Sequence, residues 1–164
     1  IKGTASFDPL ATARVLAAAI KGMNYDLILC GKQAIDHDHH AVGVMVAELL
    51  DIPSVSVVTK IEREGANLKI EREVEGGVEI VETSMPCLLT CNKGLNEPRY
   101  ASLKGIMAAK KKPMDEVAAE SVASQVEVLS IQSRPPRTGG EIVGTGVEAV
   151  PALVKKLREE AKVI

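Results

Sequence analysis

"YDLILCGKQAIDHDHHAVGVMVAELL", residues 25–50, decides the fold. Tyr25 to Cys30 form a brief, nearly continuous apolar run closed by Gly31, the pattern of a strand buried on both faces of a parallel sheet. Ala41 to Leu50 repeat apolar residues at helical spacing until Pro53 ends the run. Between them lies a polar turn in which Asp36, His37, Asp38, His39 and His40 follow one another, holding all three histidines of the chain. Strand, loop and helix in that order make a βα unit, and in sheets built from such units ligands collect at the carboxyl ends of the strands, near helix N-termini. The polar turn occupies that address.

Upstream, Asp8 is a helix cap with Pro9 at the first helical position, and Leu10, Ala13, Val15, Leu16, Ala19 and Ile20 keep an apolar face until Gly22. Downstream, "SVSVVTKIERE", "ANLKIEREVEG" and "VEIVETS" alternate apolar and polar residues between the turns "EGAN" and "EGG", which predicts an antiparallel meander. "MPCLLTCN", residues 85–92, predicts a second buried strand, and "SQVEVLSIQ", residues 124–132, a last one. Between these, "KGLNEPRYASLKGIMAAKKKP" is an exposed loop carrying a short helix. "SRPPRTGGEIVGTG", residues 133–146, is an extended Pro- and Gly-rich tether, and the remainder to Ile164 an amphipathic helix despite Pro151. The class is α/β, a parallel sheet with helices on both faces and an antiparallel excursion.

Composition limits the partners. Twenty basic and 22 acidic residues leave a net charge of −2, which implies neither a nucleic-acid surface nor a polybasic membrane patch. One Phe, two Tyr and no Trp leave almost no aromatic surface for stacking a base or a flavin ring. No apolar run reaches membrane-spanning length and no signal-like segment opens the chain, so a soluble, unexported protein is expected. Three cysteines, Cys30, Cys87 and Cys91, suit buried thiols in a reducing compartment. The start at Ile1 rather than Met, directly before a helix signal, suggests a fragment.

The Asp/His turn has four readings. Metal binding has suitable ligand types, but adjacent residues of an extended loop point different ways, and the two-His spacing of a helix face is missing. Acid/base work lacks a neighbouring Ser or Cys nucleophile. A solvated turn whose Asp residues cap the next helix accounts for the composition without any function. Anion recognition fits as well: Gly31 allows close backbone approach, and the helix N-terminus beginning near His40 to Gly43 offers amide groups to a phosphate. Neither of the two familiar glycine-rich phosphate fingerprints is present.

"GKQAIDHD" (31–38), "LKIEREVEGG" (68–77), "LNEPRYASLKGIMAAKKK" (95–112) and "PPRTGG" (135–140), in this order, resemble the beta subunits of the electron transfer flavoprotein family. The resemblance covers roughly the C-terminal two thirds of such a subunit, without its N-terminal part. It implies a Rossmann-like sheet of the adenine-nucleotide alpha hydrolase kind, with residues 1–133 as a partial nucleotide-binding domain. Residues 134–164 would form a tether and helix contacting an alpha subunit. The implied function is electron transfer without bond chemistry: with an FAD-carrying alpha subunit, electrons pass from acyl-CoA-type dehydrogenases to a quinone oxidoreductase.

The resemblance also assigns residues. A structural AMP would be held by Gly31, Lys32, Gln33, Ala34, Ile35, Asp36, His37, Asp38, His39, His40, Ala41 and Val42. Dehydrogenases would be met by a recognition loop at about 91–113, through Leu95, Asn96, Glu97, Pro98, Arg99, Tyr100, Leu103 and Met107, with Leu103 as the docking leucine. Glu73 would stand near the alpha subunit's flavin. No catalytic residue and no metal are implied, and the expected compartment is a bacterial cytoplasm or a mitochondrial matrix. The family's loop usually ends "DDxNQTG", whereas this chain has "HDHHAVG", with Val42 at the Thr position. Val there also occurs in electron-bifurcating relatives that carry a second FAD. Their "GDTAQVGP" is otherwise absent, and the bulk of the histidines favours AMP. A free-standing adenine-nucleotide-binding module is the remaining alternative.

Overall fold

The computed structural model describes residues 1–3, 8–136 and 139–164, which fall into two compact units, residues 1–128 and 129–164. In the first, helix α1 (Pro9–Lys21) is followed by β1 (Leu27–Gly31), α2 (Val42–Leu50), β2 (Ser54–Glu64), β3 (Asn67–Val74), β4 (Gly77–Ser84), β5 (Cys87–Cys91) and α3 (Leu103–Ala109). The five strands form one sheet in the order β1-β5-β2-β3-β4. β5 pairs in parallel with β1 on one side and β2 on the other, and β2, β3 and β4 form the antiparallel excursion. The α/β class and the mixed sheet agree with the sequence pattern.

The sheet separates two cores. On one side α1 and α2 pack together over the parallel strands, where Ala13, Val46, Ala47 and Leu88 are buried and Ile28, Cys30 and Met45 close around them. Small residues on α1 let the two helices approach, since Ala11, Ala13 and Ala17 are its buried positions. The other core joins Val55, Val58, Leu68, Ile70, Cys87 and Leu89, with Met85 and Leu95 packed against it. Both packed helices of the described residues thus lie on one face, and side chains from the meander and from the segment after β5 fill the opposite core.

Two expectations are corrected. β1 is not buried on both faces: Leu29 is 58% exposed, because β1 ends the sheet and no helix among the described residues covers its second face. Residues 124–132 do not form a strand. Their apolar positions find no ladder partner among the described residues, and Val126, Val128, Leu129 and Ile131 are exposed.

In the second unit the chain is extended as far as a helical segment that begins as a 3-10 turn (Val147–Ala149), continues as α4 (Val150–Lys155) and ends in a π turn (Lys156–Glu160). Pro151 sits in the first turn, where its missing N–H costs no helical bond. Arg137 and Thr138 of the expected tether lie outside the described residues.

Asp8 connects α1 to the segment after α3. Its Oδ1 accepts the Leu10 N–H at 2.8 Å, and its Oδ2 accepts the Gln125 N–H at 2.6 Å and the Ser124 hydroxyl at 3.4 Å. The Gln125 amide bond is the main cause holding the Asp8 carboxyl below its ordinary value of 3.8, against the opposing effect of burial. A native carboxylate with a lowered pKa binds fewer protons than the unfolded one. Its stabilisation is therefore complete above the unfolded value and disappears as pH falls through the lowered folded value. Urea unfolding of the Asp8→Asn variant should show a deficit against the native chain at pH 7 that shrinks below pH ~3.8. A deficit that stays constant over that range would contradict the ionic role.

Candidate functional site

The parallel strands end level with one another. Gly31 of β1 is in register with Cys91 of β5, and Cys91 with Val58 of β2. Two backbone bonds tie the chain as it leaves this level: the Lys32 N–H donates to the Cys91 carbonyl at 3.0 Å, and the Asn92 N–H to the Val58 carbonyl at 2.8 Å. β2 bulges just before this point. Val57 there has φ of 60°, costly for a β-branched residue, and its N–H is met by the Thr90 hydroxyl at 3.1 Å.

The loop from Lys32 to Ala41 is organised by its own polar groups. The Ala34 N–H donates to the His39 carbonyl at 3.1 Å, and the Gln33 side-chain amide to Asp38 Oδ1 at 2.6 Å. Asp38 adopts φ of 53°, a left-handed conformation that Asp tolerates better than most residues. The His37 N–H bonds Asp36 Oδ1 at 2.8 Å, the largest of the influences that lower the Asp36 carboxyl below its ordinary value. The His37 and His39 rings stack with centroids 5.6 Å apart. Gln33 to His40 are exposed, and Lys32 is half-buried. Among the described residues no three His, Cys, Asp or Glu side chains converge as a metal site requires.

The cap reading of the two Asp residues is overturned, because α2 starts at Val42 with Ala41 as its N-cap and no side-chain cap bond. The first intrahelical bond runs from the Met45 N–H to the Ala41 carbonyl at 3.0 Å, so the amides of Val42, Gly43 and Val44 form the free N-terminal turn of the helix. Asp36 and Asp38 are turned to partners within the loop. No side-chain hydrogen bond therefore meets the positive partial charge of the helix end.

The two glycines of this region differ. A Cβ on Gly43 would lie 2.8 Å from Thr90 Cγ2 and 3.4 Å from Cys30 Cβ, so this glycine lets α2 sit directly on β1 and β5. A Cβ on Gly31 would meet nothing within 4 Å, which leaves the strand end open.

Glu73, near the end of β3, is exposed, and its Oε2 accepts the Asn92 side-chain amide at 2.7 Å. The neighbouring Arg72 faces the other way, to Ser56 Oγ at 3.1 Å and Glu79 at 3.7 Å, with its Nε buried and unpartnered. In the segment 91–113, Leu95 is packed against the core and Asn96 to Arg99 are exposed. Leu95, one of the residues assigned to the recognition loop, is thus partly buried rather than standing out from the surface. Tyr100 is fully exposed, and Ser102 caps α3 by accepting the Gly105 N–H at 3.1 Å. α3 buries nothing: Leu103 is 79% exposed, with Ile106 and Met107 beside it on the same short helix.

Three residues of the site escaped the sequence pattern. Gly43 left a signal, an isolated glycine inside a helical run, which commonly marks close packing. Thr90 and Asn92 left none, because their partners are 33 and 19 residues away. Gly43→Val should destabilise the fold by ~1–3 kcal/mol through overpacking at Thr90. Gly31→Ala should stay within ~0.5 kcal/mol, as surface changes do. Denaturant unfolding of both variants checks this contrast.

Comparison with known proteins gives consistent results. A family model described as "Electron transfer flavoprotein domain" matches residues 2–122. The electron transfer flavoprotein subunit beta of Bacillus subtilis (strain 168) is 41% identical over 165 residues, covering 96% of this chain and 64% of the relative. The mouse protein of the same name is 40% identical, covering 96% and 62%. That of Bradyrhizobium diazoefficiens is 39% identical, covering 100% and 66%. The chain thus spans a little under two thirds of the length of the Bacillus and mouse relatives.

Proposed function

The chain belongs to the electron transfer flavoprotein family, on the side of its beta subunits, and from that we propose that it is the non-catalytic half of an electron carrier. In this reading it joins an FAD-bearing alpha subunit, holds a structural AMP, and presents a docking helix to acyl-CoA-type dehydrogenases. The FAD supplies the reversible electron chemistry and is seated mainly on the alpha subunit. Electrons leave to a quinone oxidoreductase, and residues 134–164 serve as tether and helix toward the alpha subunit. The compartment is a bacterial cytoplasm or a mitochondrial matrix; no helix among the described residues is long and apolar enough to cross a membrane.

The observation that carries the docking role is the exposure of Leu103 at 79% on a helix with no buried residue. An apolar side chain held out by a capped helix has little conformational freedom left to lose on association, which suits an anchor. Leu95, packed against the core, supports the loop from beneath instead. Tyr100, Met107 and the polar run Asn96 to Arg99 would surround the anchor.

AMP fits the loop between Gly31 and Val42. Open space at Gly31 and the uncapped α2 N-terminus suit a phosphate, which would be held by backbone amides because Val42 offers no hydroxyl. Lys32, half-buried at the loop's base, would add a positive charge to the loop. Asp36 and Asp38 are both engaged inside the loop, and neither caps the helix end. The stacked His37 and His39 rings narrow the space that a second flavin would need.

In the reconstituted heterodimer, Leu103→Ala should keep its FAD and lose at least ~10-fold in the rate of reduction by a partner dehydrogenase, as removal of a buried anchor at an interface does. An unchanged rate would remove the docking role. Mass spectrometry of small molecules released on denaturation should find AMP at close to one per complex. Finding FAD in excess of one per complex would favour a bifurcating subunit, and finding nucleotide bound by this chain alone would favour a free-standing module.

A further inference from the structure

The segment after α3 is attached to the start of the chain at two places. At the first, Lys2 pairs in parallel with Ala118: the Lys2 N–H donates to the Val117 carbonyl and the Ala119 N–H to the Lys2 carbonyl, both at 2.7 Å, and the Lys2 ammonium meets Glu116 at 2.6 Å. A Cβ on Gly3 would stand 2.6 Å from Ala119 Cβ, so this approach needs a glycine. At the second, Asp8 Oδ2 accepts the Gln125 N–H and the Ser124 hydroxyl. Apolar packing adds little to these bonds: from Asp115 to Val128 only Ala119 and Val122 are half-buried, and the other residues are exposed. Exposed, hydrogen-bonded segments open at lower free energy than a packed core.

We propose that residues 115–126 are a releasable strap, and that this strap is the second foot of the loop carrying α3. The first foot stands on the sheet, where the Asn92 N–H donates to the Val58 carbonyl at 2.8 Å and Leu95 packs against the core. Every residue from Asn96 to Met114 is exposed, so α3 has no packing of its own and takes its position from the two feet. Among the described residues the strap supplies none to either core. Its opening therefore frees one end of the loop and leaves the sheet and its two helices folded. Gly3 and Asp8 hold the strap from opposite ends, one by close approach and the other by accepting hydrogen bonds.

Amide hydrogen exchange of this chain decides between a strap and a fixed part of the fold. Gly3→Ala should strip protection from the Ala119 and Gln125 amides together, while the Leu88 amide, bonded to the Pro53 carbonyl at 2.9 Å, stays protected. Adding Ala119→Gly to Gly3→Ala removes the opposing methyl and leaves the residue 119 Cα at 3.9 Å, so protection of both amides should return. Asp8→Asn should release the same two amides from the other end. With the strap released, 15N order parameters along α3 should drop from a rigid ~0.85 to below ~0.6. Gln125 still protected in Gly3→Ala would mean that the two attachments open separately and would overturn the strap. Loss of Leu88 protection alongside Ala119 in both Gly3→Ala and Asp8→Asn would overturn it too, as would a double variant no better protected than Gly3→Ala. Unmoved order parameters in α3 with Ala119 and Gln125 exchanging freely would overturn its role as the loop's second foot.

Discussion

The seating of α2 on the carboxyl half of β5 is the constraint on which the rest of the site depends. It is possible only because residue 43 lacks a Cβ, which would stand 2.8 Å from the Thr90 methyl. At that spacing Val46 and Ala47 bury fully against Leu88, and one side of the sheet acquires its core. The same contact sets the height and direction of the helix N-terminus over the ends of β1 and β5. The ten residues between β1 and α2 must then span a fixed gap. Their internal bonds, Gln33 to Asp38 and Ala34 to His39, fold the excess length into a turn above that gap.

β5 is the second fixed point. Cys87 to Thr90 are buried, and the strand is paired in parallel on both sides, which leaves its backbone little freedom to shift. Irregularity has to be absorbed next door, in β2, where the register slips between Val55 and Val58 and Val57 takes its positive φ. The buried Thr90 hydroxyl accepts the N–H that the bulge would otherwise orphan. One short threonine thus meets the helix with its methyl and the bulge with its oxygen. Serine would keep the acceptor and lose the methyl contact, and valine the reverse.

Most of the architecture was legible because its signals are local. Period two along the meander, period 3.6 along α1 and α2, and the Asp8-Pro9 start each arise from neighbours within a turn or a strand. The failures share a cause: they depend on partners remote in sequence. "SQVEVLSIQ" has the alternation of a strand and is not one, because alternation describes a side-chain pattern and pairing requires an edge in reach. Leu29 belongs to an apolar run and is exposed, because the run cannot report that β1 is the last strand of the sheet. The Asp residues of the loop have cap chemistry, yet bind Gln33 and the His37 amide, since a cap needs the right backbone distance as well as the right side chain. Residue assignments within the loop and on α3 came from resemblance to a family, and the packing of Leu95 shows where such an assignment meets geometry that a motif does not encode.

The polar network at the strand ends divides its charges with a consistent logic. Lys60 is paired with Glu62 and Glu71, and Arg72 with Glu79, while Arg63 donates to the Gly65 carbonyl. All these pairs are at least partly solvated and individually worth little. Glu73 has an amide for a partner, and Asp36 and Asp38 are tied within the loop by an N–H and an amide. The three carboxylates are thus oriented by N–H groups, and no side chain caps the N-terminus of α2.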